Sequence, residues 1–119
     1  MSGIKTFREI VAWQKAHELV LEVYKVTKSF PLDERFRLVD QICRAGISVP
    51  ANIAEGFKRP TKNDSVHFYY IALASLEEVK YHLLLAKDLT YVDVKIYERL
   101  LATADECGRL LHTWLKVQK

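Results

Sequence analysis

The stretch TKNDSVHFYYIALASLEEVKYHLLLAKD, residues 61–88, decides the fold of this chain. Thr61 with Asp64 three residues later resembles a capping box, so the spacing predicts a helix that starts there and runs to about Asp88. Its apolar residues include Phe68, Tyr69, Tyr70, Ile71, Leu73, Leu76, Val79, Tyr81, Leu83, Leu84 and Leu85, and they spread almost all round the helical wheel. A helix apolar on every side must be covered on every side. One helix of a four-helix monomer hides roughly half its circumference, so the excess predicts a second covering surface, read as a subunit interface.

Working outward, the preceding helix is expected from Asp33 or Glu34 to Glu55, with acids at its start where the helix dipole favours them. Leu38, Val39, Ile42, Cys43, Gly46, Val49, Ile53 and Ala54 share one face. Pro50 lies inside, pressing on the carbonyl of Gly46, which predicts a kinked second helix with close backbone packing there. Gly56 then suits a C-cap. The first helix reads from Thr6 to about Ser29 and stops before Pro31. Its face of Trp13, Ala16, Val20, Val23 and Tyr24 opposes Lys15, Glu18, Glu22 and Lys25. Asp93 can cap a fourth helix running to near Val117. Short loops make sequential helices antiparallel. The expectation is one all-α domain over residues 1–119, an antiparallel up-down-up-down four-helix bundle assembling as a homo-oligomer.

Bulk composition agrees. Half of the 119 residues are apolar, with only 4 Gly and 3 Pro, as long helices require. The net charge of +3 is too small to imply nucleic-acid binding by itself. Cys43 and Cys107 stand in no CxxC pattern and read as reduced thiols on core faces. No secretory leader or membrane-length apolar run is evident, so a cytoplasmic protein is expected, with no membrane partner.

Catalytic machinery is absent from the pattern: there is no phosphate loop, no GxSxG and no zinc spacing. Glu78 and His82, one turn apart, read as a hydrogen-bonded pair rather than a metal site. His17 and His112 lie at stripe edges, where partly buried histidines are the default. No cofactor, metal or catalytic residue is therefore expected, and the chain reads as no enzyme. Two features remain. The polar stripe Arg37, Gln41, Arg44, Ser48, Glu55, with Asp40 and Asn52 beside it, is either a solvated face with pairs such as Asp40–Arg44, a polar seam between subunits, or a binding groove. The basic loop Lys58-Arg59-Pro60-Thr61-Lys62 is either solvated or a phosphate site at a helix start.

The motif residues Phe7-Arg8, Val11-Ala12-Trp13-Gln14-Lys15-Ala16, Phe30-Pro31, Glu34, Arg44-Ala45, Ser48-Val49, Asn52-Ile53-Ala54-Glu55-Gly56 and Ser75-Leu76-Glu77-Glu78 resemble the bacterial four-helix-bundle family named for intervening sequences of 23S ribosomal RNA genes. That family is similar to the accessory variability proteins of diversity-generating retroelements. Ala74 stands where the family pattern has Gly, which bears on local helix packing alone. The resemblance implies a cytosolic homopentamer with Arg44, Ser48, Asn52, Glu55, Gly56 and Glu78 as interface or motif residues. For the retroelement relatives it further implies binding of nucleic acid and of a reverse transcriptase. Two functional expectations follow. One is a scaffold binding RNA or DNA through Lys58, Arg59 and Lys62, joined by Arg37 and Arg44; the other is an adaptor that binds a protein partner with no nucleic-acid role.

Overall fold

Thr61 Oγ1 accepts the amide of Asp64 at 3.1 Å and opens a helix of 27 residues. In the computed structural model, which describes residues 3–117, four helices follow one another: α1 (Val11–Thr27), α2 (Leu38–Phe57), α3 (Lys62–Asp88) and α4 (Val94–Val117). No strand occurs among the described residues. At roughly 1.5 Å per residue α3 alone is about 40 Å long, close to the 47 Å long axis of the molecule. Asp93 Oδ1 accepts the amide of Ile96 at 2.8 Å and so caps α4 as its position predicted.

The core runs the length of the bundle. Leu19 and Val23 of α1, Val49 and Ile53 of α2, Leu76 and Leu83 of α3, and Leu100 and Leu111 of α4 are each no more than 1% exposed. Each contributes about 2 kcal/mol by leaving water. A smaller cluster of Phe30, Leu38, Ala86 and Val92 closes one end.

Several boundaries differ from the sequence reading. The first helix does not begin at Thr6. Thr6 Oγ1 accepts the Arg8 amide while the Glu9 carboxylate accepts the amides of Lys5 and Thr6, which closes a short 3-10 turn, Phe7–Glu9. Ile10 is then extended, with its side chain 1% exposed, and only afterwards does α1 start. Locally satisfied donors let the chain bend so that Ile10 reaches the core.

The second helix likewise starts later. Leu32–Glu34 is a separate 3-10 turn, and Glu34 Oε1 accepts the Leu38 amide at 3.2 Å from outside α2. Glu34 Oε2 also accepts the Tyr91 hydroxyl at 2.7 Å, tying the entrance of α2 to the turn after α3. The Tyr91 hydroxyl, then the Leu38 amide, hold this carboxyl below its ordinary range.

The glycines of α2 carry different duties from those expected. The helix is continuous through Pro50, and a Cβ built on Gly46 would meet nothing within 4 Å, so no close backbone packing occurs there. Gly56 is no C-cap: α2 continues to Phe57 and Lys58 is the capping position. A Cβ on Gly56 would stand 2.6 Å from Tyr69 Cε1 and 3.1 Å from the Ser65 carbonyl oxygen. This glycine therefore serves close helix approach rather than backbone freedom. Among the described residues the left-handed one is Thr90, at φ 64°, where the Tyr91 amide returns to the Ala86 carbonyl and ends α3.

The apolar excess of α3 is smaller than its wheel implies. Tyr69, Leu76, Val79 and Leu83 are buried, while Phe68, Ile71, Leu73 and Leu85 are half-buried. Tyr70, Tyr81 and Leu84 stay exposed, at 59%, 57% and 39%. Helix α3 packs against both α2 and α4, and its long side chains lean over both neighbours. What remains is one outward stripe through Tyr70, Ala74, Tyr81 and Leu84.

Candidate functional site

The motif residues of α2 meet α3 along one seam. Ser48 Oγ and Ser75 Oγ are 2.8 Å apart, and Asn52 Nδ2 donates to the Ser48 carbonyl at 2.8 Å and to its hydroxyl at 2.9 Å. One end of the seam is closed where Ser65 Oγ donates to the Gly56 carbonyl at 2.7 Å. Small side chains let the two helices approach, and the hydroxyls satisfy one another at the contact. Arg44, Ser48, Asn52 and Glu55 follow one another along α2 at helical spacing, with Arg44 and Glu55 exposed and Ser48 and Asn52 half-buried.

The charged members are placed differently from the reading. Arg44 forms no ion pair with a described residue, so the expected Asp40–Arg44 pair is not made. Glu55 is taken by Arg59 at 3.3 Å. Glu78 and His82 do pair, Oε2 to Nε2 at 3.2 Å. His82 is 9% exposed, and its Nδ1 is buried without a partner among the described residues.

The five candidate cations form no single patch. Lys58, Arg59 and Lys62 surround the α2–α3 turn, whereas Arg37 precedes the first residue of α2. Twenty helical residues separate the two, about 30 Å at the α-helical rise, and Arg44 lies about 20 Å from the loop. Within the loop Arg59 is engaged: its guanidinium also lies 5.1 Å from the Phe68 ring centroid. Lys58 and Lys62 are exposed and have no carboxylate partner among the described residues.

A second region was not legible from the pattern. Between α3 and α4 lie two adjoining cavities of about 410 and 580 Å³ that share Tyr70 and His112. Lys62 and Lys116 line the first; Leu76, Gly108 and Lys80 line the second. Lys80 Nζ reaches Glu77 at 2.9 Å and Asp105 at 2.8 Å, bridging the two helices. Lys62 and Lys116 are 54 positions apart in sequence, so only the fold brings them together. His112 is exposed in this groove, and His17 is exposed with its ring 5.0 Å from that of Trp13; neither is partly buried as expected.

The two thiols are unsuited to nucleophilic work. Burial pushes the Cys107 thiol up to about 12, and burial likewise raises that of Cys43. No group of three or more metal-ligating side chains gathers among the described residues. No helix among them is long and apolar enough to cross a membrane.

The sequence matches the model of a family described as 23S rRNA-intervening sequence protein over residues 8–113. It is similar in structure to a protein of unknown function from the S23 ribosomal protein family of Bacteroides thetaiotaomicron. The two share 27% identity over 88% of this chain and 98% of the other, with a TM-score of 0.79. No curated protein matches the sequence.

Proposed function

This chain belongs to the 23S rRNA-intervening sequence protein family, and we propose that it is a non-enzymatic homo-oligomeric scaffold that holds RNA or DNA on a basic surface. In this reading the bundle is antiparallel, up-down-up-down, and five copies form a cytoplasmic ring. The observation that carries it is the α2–α3 face. Ser48, Asn52 and Ser75 are ordered by mutual hydrogen bonds beside an exposed Arg44 that pairs with no acidic group among the described residues. Ordered polar residues beside an uncompensated cation suit a contact with a second copy. The exposed Tyr81 and Leu84 add apolar surface on the same helix as Ser75. Lys58 and Lys62, repeated around a ring, supply the phosphate contacts.

Light scattering with and without nuclease tests both parts together. The expected result is the mass of five chains, unchanged by nuclease, with Arg44→Glu lowering the subunit number. RNA binding should weaken steeply with salt and be lost in Lys58→Glu with Lys62→Glu. A monomeric wild type refutes the ring, and absent binding at low salt refutes the nucleic-acid role.

A second reading, a protein-binding adaptor, is favoured by one observation. Leu32 and Phe36, in the connection between α1 and α2, are 87% and 82% exposed. Two large apolar side chains so fully in water within one connection mark a docking point. A partner recovered after nuclease treatment, and lost in Phe36→Asp, supports this alternative.

A further inference from the structure

We infer that the groove between α3 and α4 binds a nucleoside phosphate, either as a free mononucleotide or as one nucleotide of a strand. The mouth carries Lys62 and Lys116, and none of the described side chains lining that first cavity is acidic. Neither lysine forms an ion pair with a described residue, in contrast to Lys15, Lys80 and Lys87, each of which has a carboxylate within 3.5 Å. Two uncompensated ammonium groups at one cavity select an anion, and phosphate is the anion that lysine pairs suit as point charges.

The rest of the groove decides what the anion is attached to. Tyr70 and His112 line both cavities, so two planar side chains stand where the group behind the phosphate must lie. Tyr70 is 59% exposed and so presents its ring to an incoming partner. Every nucleobase offers a flat π-face to such rings. Beyond them the second cavity has a mostly apolar wall that includes Leu73, Ala74 and Leu76, with Glu77, Lys80, Asp105 and Arg109 at its edge. Such a mixed wall suits a base, which offers apolar faces and a hydrogen-bonding edge. The combined room, about 410 and 580 Å³, falls in the usual range for small-molecule sites.

For the strand as source, the inference rests on the nucleic-acid reading above; for the free nucleotide it stands apart from that reading. The test is calorimetric titration of the full chain with AMP, adenosine and inorganic phosphate, followed by a single-stranded RNA of ten nucleotides competing against AMP. Saturable AMP binding, tighter than either adenosine or phosphate, is expected. Lys62→Glu with Lys116→Glu should weaken it more than tenfold, and Tyr70→Ala about tenfold. All three residues are exposed, so helical content should be unchanged by circular dichroism. Lys25→Glu, exposed on α1 and lining neither cavity, should leave AMP binding intact. If RNA displaces AMP, the groove takes a nucleotide of a strand; if RNA does not bind while AMP does, the groove stands as a mononucleotide site and the scaffold reading falls. No AMP binding at millimolar concentration overturns the inference, as does phosphate binding as tightly as AMP or AMP affinity indifferent to both lysines.

Discussion

Helix α3 meets its two neighbours in opposite ways. Against α2 the contact is closed: Gly56 lies under the Tyr69 ring, Ser48 meets Ser75, and no ion pair crosses among the described residues. Against α4 the contact is open, and a Lys80–Asp105 pair spans helices that leave two cavities between them. Backbones approach where small residues replace long ones, and side-chain struts hold them apart elsewhere. The closed side specifies the fold, and the open side leaves volume for a ligand.

The sharpest test compares the glycines on the two sides. Gly56→Ala forces a methyl against the Tyr69 ring and a backbone oxygen, so a loss of about 2 kcal/mol is expected in urea denaturation. Gly108→Ala on the open side meets only the tip of Leu76, at 3.3 Å. It should gain up to about 1 kcal/mol from helix propensity. Equal effects at the two sites would end the distinction between them.

Next in size is the hydroxyl contact across the closed side. Ser75→Ala leaves Ser48 without its cross-helix partner and should cost about 1 kcal/mol. The double variant with Ser48→Ala should cost less than the sum of the single changes, because both single changes remove the same Ser48–Ser75 hydrogen bond.

The smallest effect concerns the tie at the far end of α2. Glu34 has its pKa depressed by Tyr91 and the Leu38 amide. Its contribution is therefore present above the ordinary carboxylate range and is lost as pH falls through that range and below. Melting temperatures followed from about pH 7 to about pH 3 should fall more steeply in the wild type than in Tyr91→Phe. Parallel curves would show that the tie adds nothing to the closed side.

Much of this architecture was legible in the sequence. Four apolar periodicities and the caps at Thr61 and Asp93 correspond to observed elements, whereas the connection from α1 to α2, residues 28–37, is longer than the short loop expected. Ile10 was not legible, because an extended residue between two helical turns is set by its burial rather than by propensity. Gly56 departs from its local signal for a related reason: a glycine at a helix end signals a cap, while its contact with Tyr69 depends on tertiary packing. The motif residues Ser48, Asn52 and Ser75 were found, but Arg37 cannot join the basic loop from the opposite end of α2. The α3–α4 groove joins residues far apart in sequence, and no local pattern announces it.

The Cys107 thiol, 0% exposed and pushed up by burial to about 12, also gives the molecule an internal clock. An alkylating reagent can modify it only after the helices part, because the reactive thiolate is scarce and shielded in the closed bundle. Where reclosing is faster than labelling, the modification rate reports the equilibrium population of opened molecules. Labelling at several protein concentrations then tests whether other copies of the chain suppress that opening, through a side chain the protein already carries.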